Sequence, residues 1–87
     1  MVTLEEAKAY LRVDGSEEDE LITRLIASSE RLCLDTLRKE EPEETAAFKM
    51  AVLFSVAYLY EHRDDADYHN LLLTLRSLLF GERKEAF

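Results

Sequence analysis

From Met50 to Tyr60 the chain reads MAVLFSVAYLY, without one charged side chain, and this run constrains the fold more than any other segment. At helical spacing it carries two apolar stripes. Ala47, Met50, Ala51, Phe54, Ala57 and Tyr58 make the first; Val52, Val56 and Leu59 make the second, with Leu53 and Tyr60 between or beside them. A helix that is apolar all round is usually buried on all sides. In a chain of 87 residues, which buries roughly 60–65% of its unfolded surface, three further helices can hardly cover it. Part of this helix is therefore expected to meet another subunit, while Phe54 is expected in the core. The run is too short to cross a bilayer.

The remaining segments read as three more helices. Thr3-Leu4-Glu5-Glu6 is a capping box opening a short amphipathic helix through Leu4, Ala7 and Leu11, broken at Val13-Asp14-Gly15. Ser16 is expected to start the second helix, with Glu17, Glu18, Asp19 and Glu20 in its first turn, where acids complement the helix dipole. Leu21, Ile22, Leu25, Ile26, Ser29, Leu32, Cys33 and Leu37 hold one face of it; Arg24, Glu30, Arg31 and Arg38 hold the other. A polar linker, 39–44, contains Pro42, which suits the start of a third helix running from about Glu43 to His62. The fourth spans Tyr68 to Phe80, capped by Asp65 or Asp67 and stopped by Gly81. Its core side is Leu71, Leu72, Leu75, Leu78 and Leu79, leaving Leu73 and Phe80 off the stripe. The fold class is all-α: a small bundle of four helices, one domain over 1–87, with a short C-terminal tail, 81–87.

Chemistry is sparse. Two histidines, one cysteine and no glycine-rich loop leave no constellation for catalysis, a cofactor or a metal. A calcium loop beginning at Asp14 fails, because Asp19 stands where the sharp-turn glycine belongs and Leu25 where a bidentate glutamate belongs. His62, Asp65, Asp67 and His69 read as a helix end, a turn and a cap rather than a coordination sphere. Cys33 reads as a buried structural thiol. The N-terminus lacks the basic-then-apolar pattern of a signal peptide, which points to a soluble, intracellularly made protein. A formal net charge of −8, with cations dispersed among acids, argues against gripping nucleic acid by its phosphates.

In order and spacing these segments resemble the small head–tail connector (adaptor) proteins of tailed phages, also labelled phage DNA-packaging proteins. The resemblance covers nearly the whole chain. Its carriers are Thr3-Leu4-Glu5-Glu6-Ala7-Lys8-Ala9-Tyr10-Leu11-Arg12-Val13-Asp14, the acidic cap followed by Leu21-Ile22 and Leu25-Ile26-Ala27-Ser28-Ser29-Glu30, and Ala51-Val52-Leu53. Ala57-Tyr58-Leu59-Tyr60-Glu61-His62-Arg63 follows, where the family often has Tyr-Glu-Asn-Arg, and then Leu78-Leu79. The ending Phe80-Gly81-Glu82-Arg83-Lys84-Glu85-Ala86-Phe87 departs from the family's Pro-Tyr-Arg-like stretch.

The resemblance implies a non-enzymatic ring subunit, dodecameric like the portal it docks on. It implies a place in the virion neck after assembly in the host cytoplasm, with a tail-completion or second connector protein below. DNA would pass through without specific binding, and no membrane is involved. Under that reading Val52, Val56, Leu59, Tyr60, Leu73, Phe80, Arg83 and Phe87 are candidates for subunit or portal contacts. Glu17, Glu18 and Glu20 are candidates for a channel-facing acidic surface. Two other readings of the residues stay open: a small acidic regulatory module that binds a protein partner, and a small enzyme or metal protein.

Overall fold

The computed structural model describes residues 2–38 and 45–80. The architecture is all-α, with four helices in chain order: α1 (Leu4–Leu11), α2 (Asp19–Leu37), α3 (Ala46–Glu61) and α4 (Tyr68–Phe80). The α2–α3 pairing is the most extensive. Helix α4 packs on both of these helices, and so does the short α1.

Each helix boundary has a local cause. At α1 the expected capping box is present: the Glu6 amide donates to Thr3 Oγ1 at 3.1 Å, and the Thr3 amide donates to Glu6 Oε1 at 2.9 Å. The helix ends at Leu11, as expected. Arg12 is left-handed (φ 62°), its amide reaches Ala9 O at 3.2 Å, and the Val13 amide reaches Lys8 O at 2.9 Å. These two bonds define a Schellman motif, in which glycine usually holds the left-handed position. Gly15 has no positive φ; its missing side chain leaves room for the Glu17 carboxylate. Replacing Arg12 by glycine should therefore raise stability by about 0.5–1 kcal/mol, because the Cβ penalty at positive φ is removed. Chemical denaturation would show a higher midpoint at unchanged slope.

Helix α2 begins at Asp19, not at Ser16. The Asp19 amide closes a turn on Ser16 O at 3.3 Å, and Glu18 takes the N-cap position without capping through its side chain. That carboxylate is turned instead toward the end of α3. Helix α3 begins at Ala46 and not near Glu43, because Thr45 is extended (φ −112°, ψ 157°) and its hydroxyl accepts from the Phe48 amide at 3.0 Å. The linker 39–44 with Pro42 lies outside the described residues. Helix α4 has the expected span, and Asp67 caps it by accepting from the Asn70 amide at 3.1 Å. The expected stop at Gly81 lies outside the described residues.

The core corrects the register expected for α3. Phe48, Ala51, Val52, Leu53, Ser55, Val56 and Leu59 are buried. Val52 and Val56 are wholly inaccessible and Leu59 is 6% exposed, so these three residues are core, and only Leu59 reaches the floor of a surface groove. The reason is the company they keep: Ile22, Ile26, Cys33 and Leu34 of α2 and Leu71, Leu75 and Leu79 of α4 belong to the same buried cluster. Phe54, expected in the core, is only half-buried at its edge, and Met50 is 49% exposed. Leu34 of α2 is buried although no stripe included it, and Glu30, expected outside, is half-buried. Cys33 is buried as expected, and desolvation, then the charge of Glu30, pushes its thiol up to about 12, which keeps it unreactive.

One ion pair ties the ends of the bundle together. Lys49 Nζ of α3 lies 2.7 Å from Glu6 Oε2 of α1. Hydrogen bonding from Lys49, then from the Thr3 backbone, lowers the Glu6 pKa below its ordinary 4.5. A depressed carboxylate stabilises the fold above its unfolded value, and that contribution fades as pH falls through the folded one. Lys49→Gln should therefore flatten the loss of stability below about pH 4.5. Thermal melts of parent and variant across pH 3–6 would converge at the acid end if the pair acts this way.

Candidate interaction surfaces

Helix α4 carries six leucines in thirteen residues, too many for one face. Leu71, Leu75 and Leu79 take the core, while Leu72 (36%), Leu73 (51%) and Leu78 (38%) remain exposed. Leu72 and Leu78, expected in the core, flank the buried row on opposite sides. Leu78 shares a cleft with Ala46, Ala47 and Met50 of α3. Leu72 shares another with Asp35, Thr36, Arg38 and Arg76. A third groove is lined by Ala27, Ser28, Arg31, Leu32, Leu59 and Tyr68. No Asp or Glu occurs in α4, nor in α3 before Glu61, and Met50, Leu73 and Leu78 are exposed apolar side chains of these two helices.

Of the other candidate contact residues, Leu73 is exposed on the outward face of α4, opposite the buried row, and Phe80 is half-buried at the end of α4. Arg83 and Phe87 lie outside the described residues. Tyr60 has an internal task. Its hydroxyl donates to Glu18 Oε1, Arg63 Nη1 lies 3.4 Å from Glu18 Oε2, and the Arg63 guanidinium sits 5.2 Å from the Tyr60 ring centroid. The hydrogen bond to Glu18, then burial, raises the Tyr60 phenol above its ordinary value. Tyr60 and Arg63 thus clamp the end of α3 to the start of α2.

The intervening His62 stacks on Tyr58 at 4.2 Å between ring centroids, and the Tyr58 hydroxyl accepts from the Asp67 amide at 2.8 Å. The Tyr60-Glu61-His62-Arg63 segment is therefore a structural lock at the α3–α4 turn.

The acids expected on a channel surface divide accordingly. Glu18 is held in the clamp. The adjacent Asp19 pairs with Lys8 at 2.7 Å. Glu17 and Glu20 stay exposed, the latter 3.5 Å from Arg24 across one helical turn. Among the described residues no three His, Cys, Asp or Glu side chains come together to hold a metal, and no helix is long and apolar enough to cross a membrane.

Residues missed from sequence are Met50, Leu72, Leu78 and the pair Arg38 and Arg76. The leucine excess of α4 was the available signal for two of them. The arginines gave none, being far apart in the chain.

What these features define is a small helical protein whose surfaces suit protein contacts. The model of the phage gp6-like head–tail connector protein family matches residues 1–79, and the chain belongs to that family. Its role is accordingly structural and not enzymatic. No curated protein and no solved structure matches the chain.

Proposed function

We propose that the chain is a ring-forming subunit of the neck between capsid and tail, seated on the portal, prolonging the DNA channel and presenting the surface that a tail-completion protein joins. The observation that carries this reading is the family match along nearly the whole chain. The exposed apolar side chains of α3 and α4 support it, because Met50, Leu73 and Leu78 are of the kind a stable partner covers. A net charge of −8 suits a conduit through which DNA slides without being held. Dodecameric symmetry, matching the portal, is part of the proposal, as is assembly in the host cytoplasm. The test is co-purification of the full chain with the portal and tail-completion proteins of the same phage, followed by native mass measurement of the complex. Twelve copies on one portal ring are the anticipated outcome. Failure to bind either protein would remove the proposal.

A further inference from the structure

Arg38 and Arg76 are exposed, and like Arg12 neither has an ion-pair partner among the described residues, whereas Lys8, Arg24, Arg31, Lys49 and Arg63 do. They come from different helices, yet line one cleft with the exposed Leu72, beside Thr36 and Asp35. The one acid on its wall, Asp35, is already engaged by Arg31 at 3.0 Å. Two guanidinium groups without an ion-pair partner among the described residues, set beside Leu72, fit an acidic protein segment, since arginine binds carboxylates through paired N–H donors. At the other end of α2, Glu17 and Glu20 are exposed. Nineteen residues of helix separate the two ends by roughly 28 Å.

We infer that the Arg38–Leu72–Arg76 cleft receives the Glu17–Glu20 end of α2 from a second copy of this chain. The inference rests on the ring reading above and names the contact that would close the ring. The two surfaces are different and lie at opposite ends of one helix, so the contact is heterologous, the type that propagates around a ring and not one that stops at a dimer. Charge complementarity selects this arrangement. Copies that each carry −8 repel through most of their surface, and an acid end facing a basic cleft relieves that repulsion where the copies touch. It also moves Glu17 and Glu20 from the channel wall to the seam between subunits.

The test compares the full-length chain with the charge-swapped variants E17R/E20R and R38E/R76E, alone and mixed in equal amounts. Sedimentation reads self-association, and capture on the portal reads connector function. All four side chains are exposed, so both variants should stay folded. R38E/R76E should melt near the parent, and E17R/E20R somewhat lower, because it reverses acids at the start of α2 and the Glu20–Arg24 pair. Each variant alone should associate at least about tenfold more weakly than the parent. The mixture should regain association, because each variant supplies the sign its neighbour lacks.

Parent-like association of both variants, or a mixture as dissociated as its parts, overturns the contact. So does normal association accompanied by altered DNA retention, which would return the acids to the channel or make the arginines a phosphate site. Portal capture that survives in such a case leaves the connector reading standing and removes only the contact. A parent that neither self-associates nor binds portal removes both.

Discussion

Phe48→Ala should lower the stability of this chain by about 3–5 kcal/mol, the cost of removing a buried aromatic ring and leaving a cavity. Phe48 is 2% exposed and sits in the first turn of α3, where its own amide is the donor to the Thr45 cap. Total stability for a chain of 87 residues is roughly 4–13 kcal/mol. One substitution therefore takes away a large share of it, and urea denaturation should show a collapsed midpoint or no folded baseline. Phe54→Ala is the matched control: its ring lies half-exposed at the edge of the core, so the loss should be about half as large. Equal losses at the two positions would mean that α3 is rotated about its axis relative to the packing described.

That comparison also shows what could be read from sequence and what could not. Helix existence and type were legible throughout, because capping residues and apolar periodicity agree. Thr3 with Glu6, and Asp67 ahead of Tyr68, announce their helices through local hydrogen bonds that need no partner elsewhere. The register of α3 was not legible. When Met50, Phe54 and Ala57 on one side are as apolar as Val52, Val56 and Leu59 on the other, periodicity has no polar face with which to orient the helix. Only the docking of α2 and α4 decides which side is covered. The start of α2 was misplaced for a related reason. Glu18 has every local qualification for a first-turn acid, but its carboxylate is drawn to Tyr60 and Arg63, more than forty positions later in the chain.

The candidate surfaces were legible only in part. Leu73 stood off the α4 stripe and is indeed exposed, since a residue opposite the buried row has nowhere inward to point. Leu72 and Leu78 sit at the margins of that row, where a small rotation of the helix separates core from surface. Their exposure reflects how α4 leans between α2 and α3. Arg38 and Arg76 illustrate the remaining limit. Each is unremarkable on its own helix, and the cleft exists because two helix surfaces meet.

The other large effect is expected from a charge placed on the side of α3 that sequence alone would assign to a neighbour. Val56→Asp puts a carboxylate where there is no solvent access and no cation in the buried cluster to pair with it. The group must either be desolvated or be held protonated, and the lost Val packing adds to that cost. Together these terms exceed about 5 kcal/mol, enough to unfold a domain of this size. Leu73→Asp introduces the same group on the exposed face of α4, and stability should change by no more than about 0.5 kcal/mol.

The second variant is the informative one for assembly. If portal or tail proteins cover the outward face of α4, Leu73→Asp should fold with a parent-like melting curve yet be captured poorly by those proteins. A buried charge is costly at an interface for the same reason that it is costly in a core. Helical content by circular dichroism separates the two cases directly: lost for Val56→Asp, retained for Leu73→Asp. A folded Val56→Asp chain that merely fails to assemble would instead put Val56 at a subunit boundary and require α3 to turn its other stripe inward.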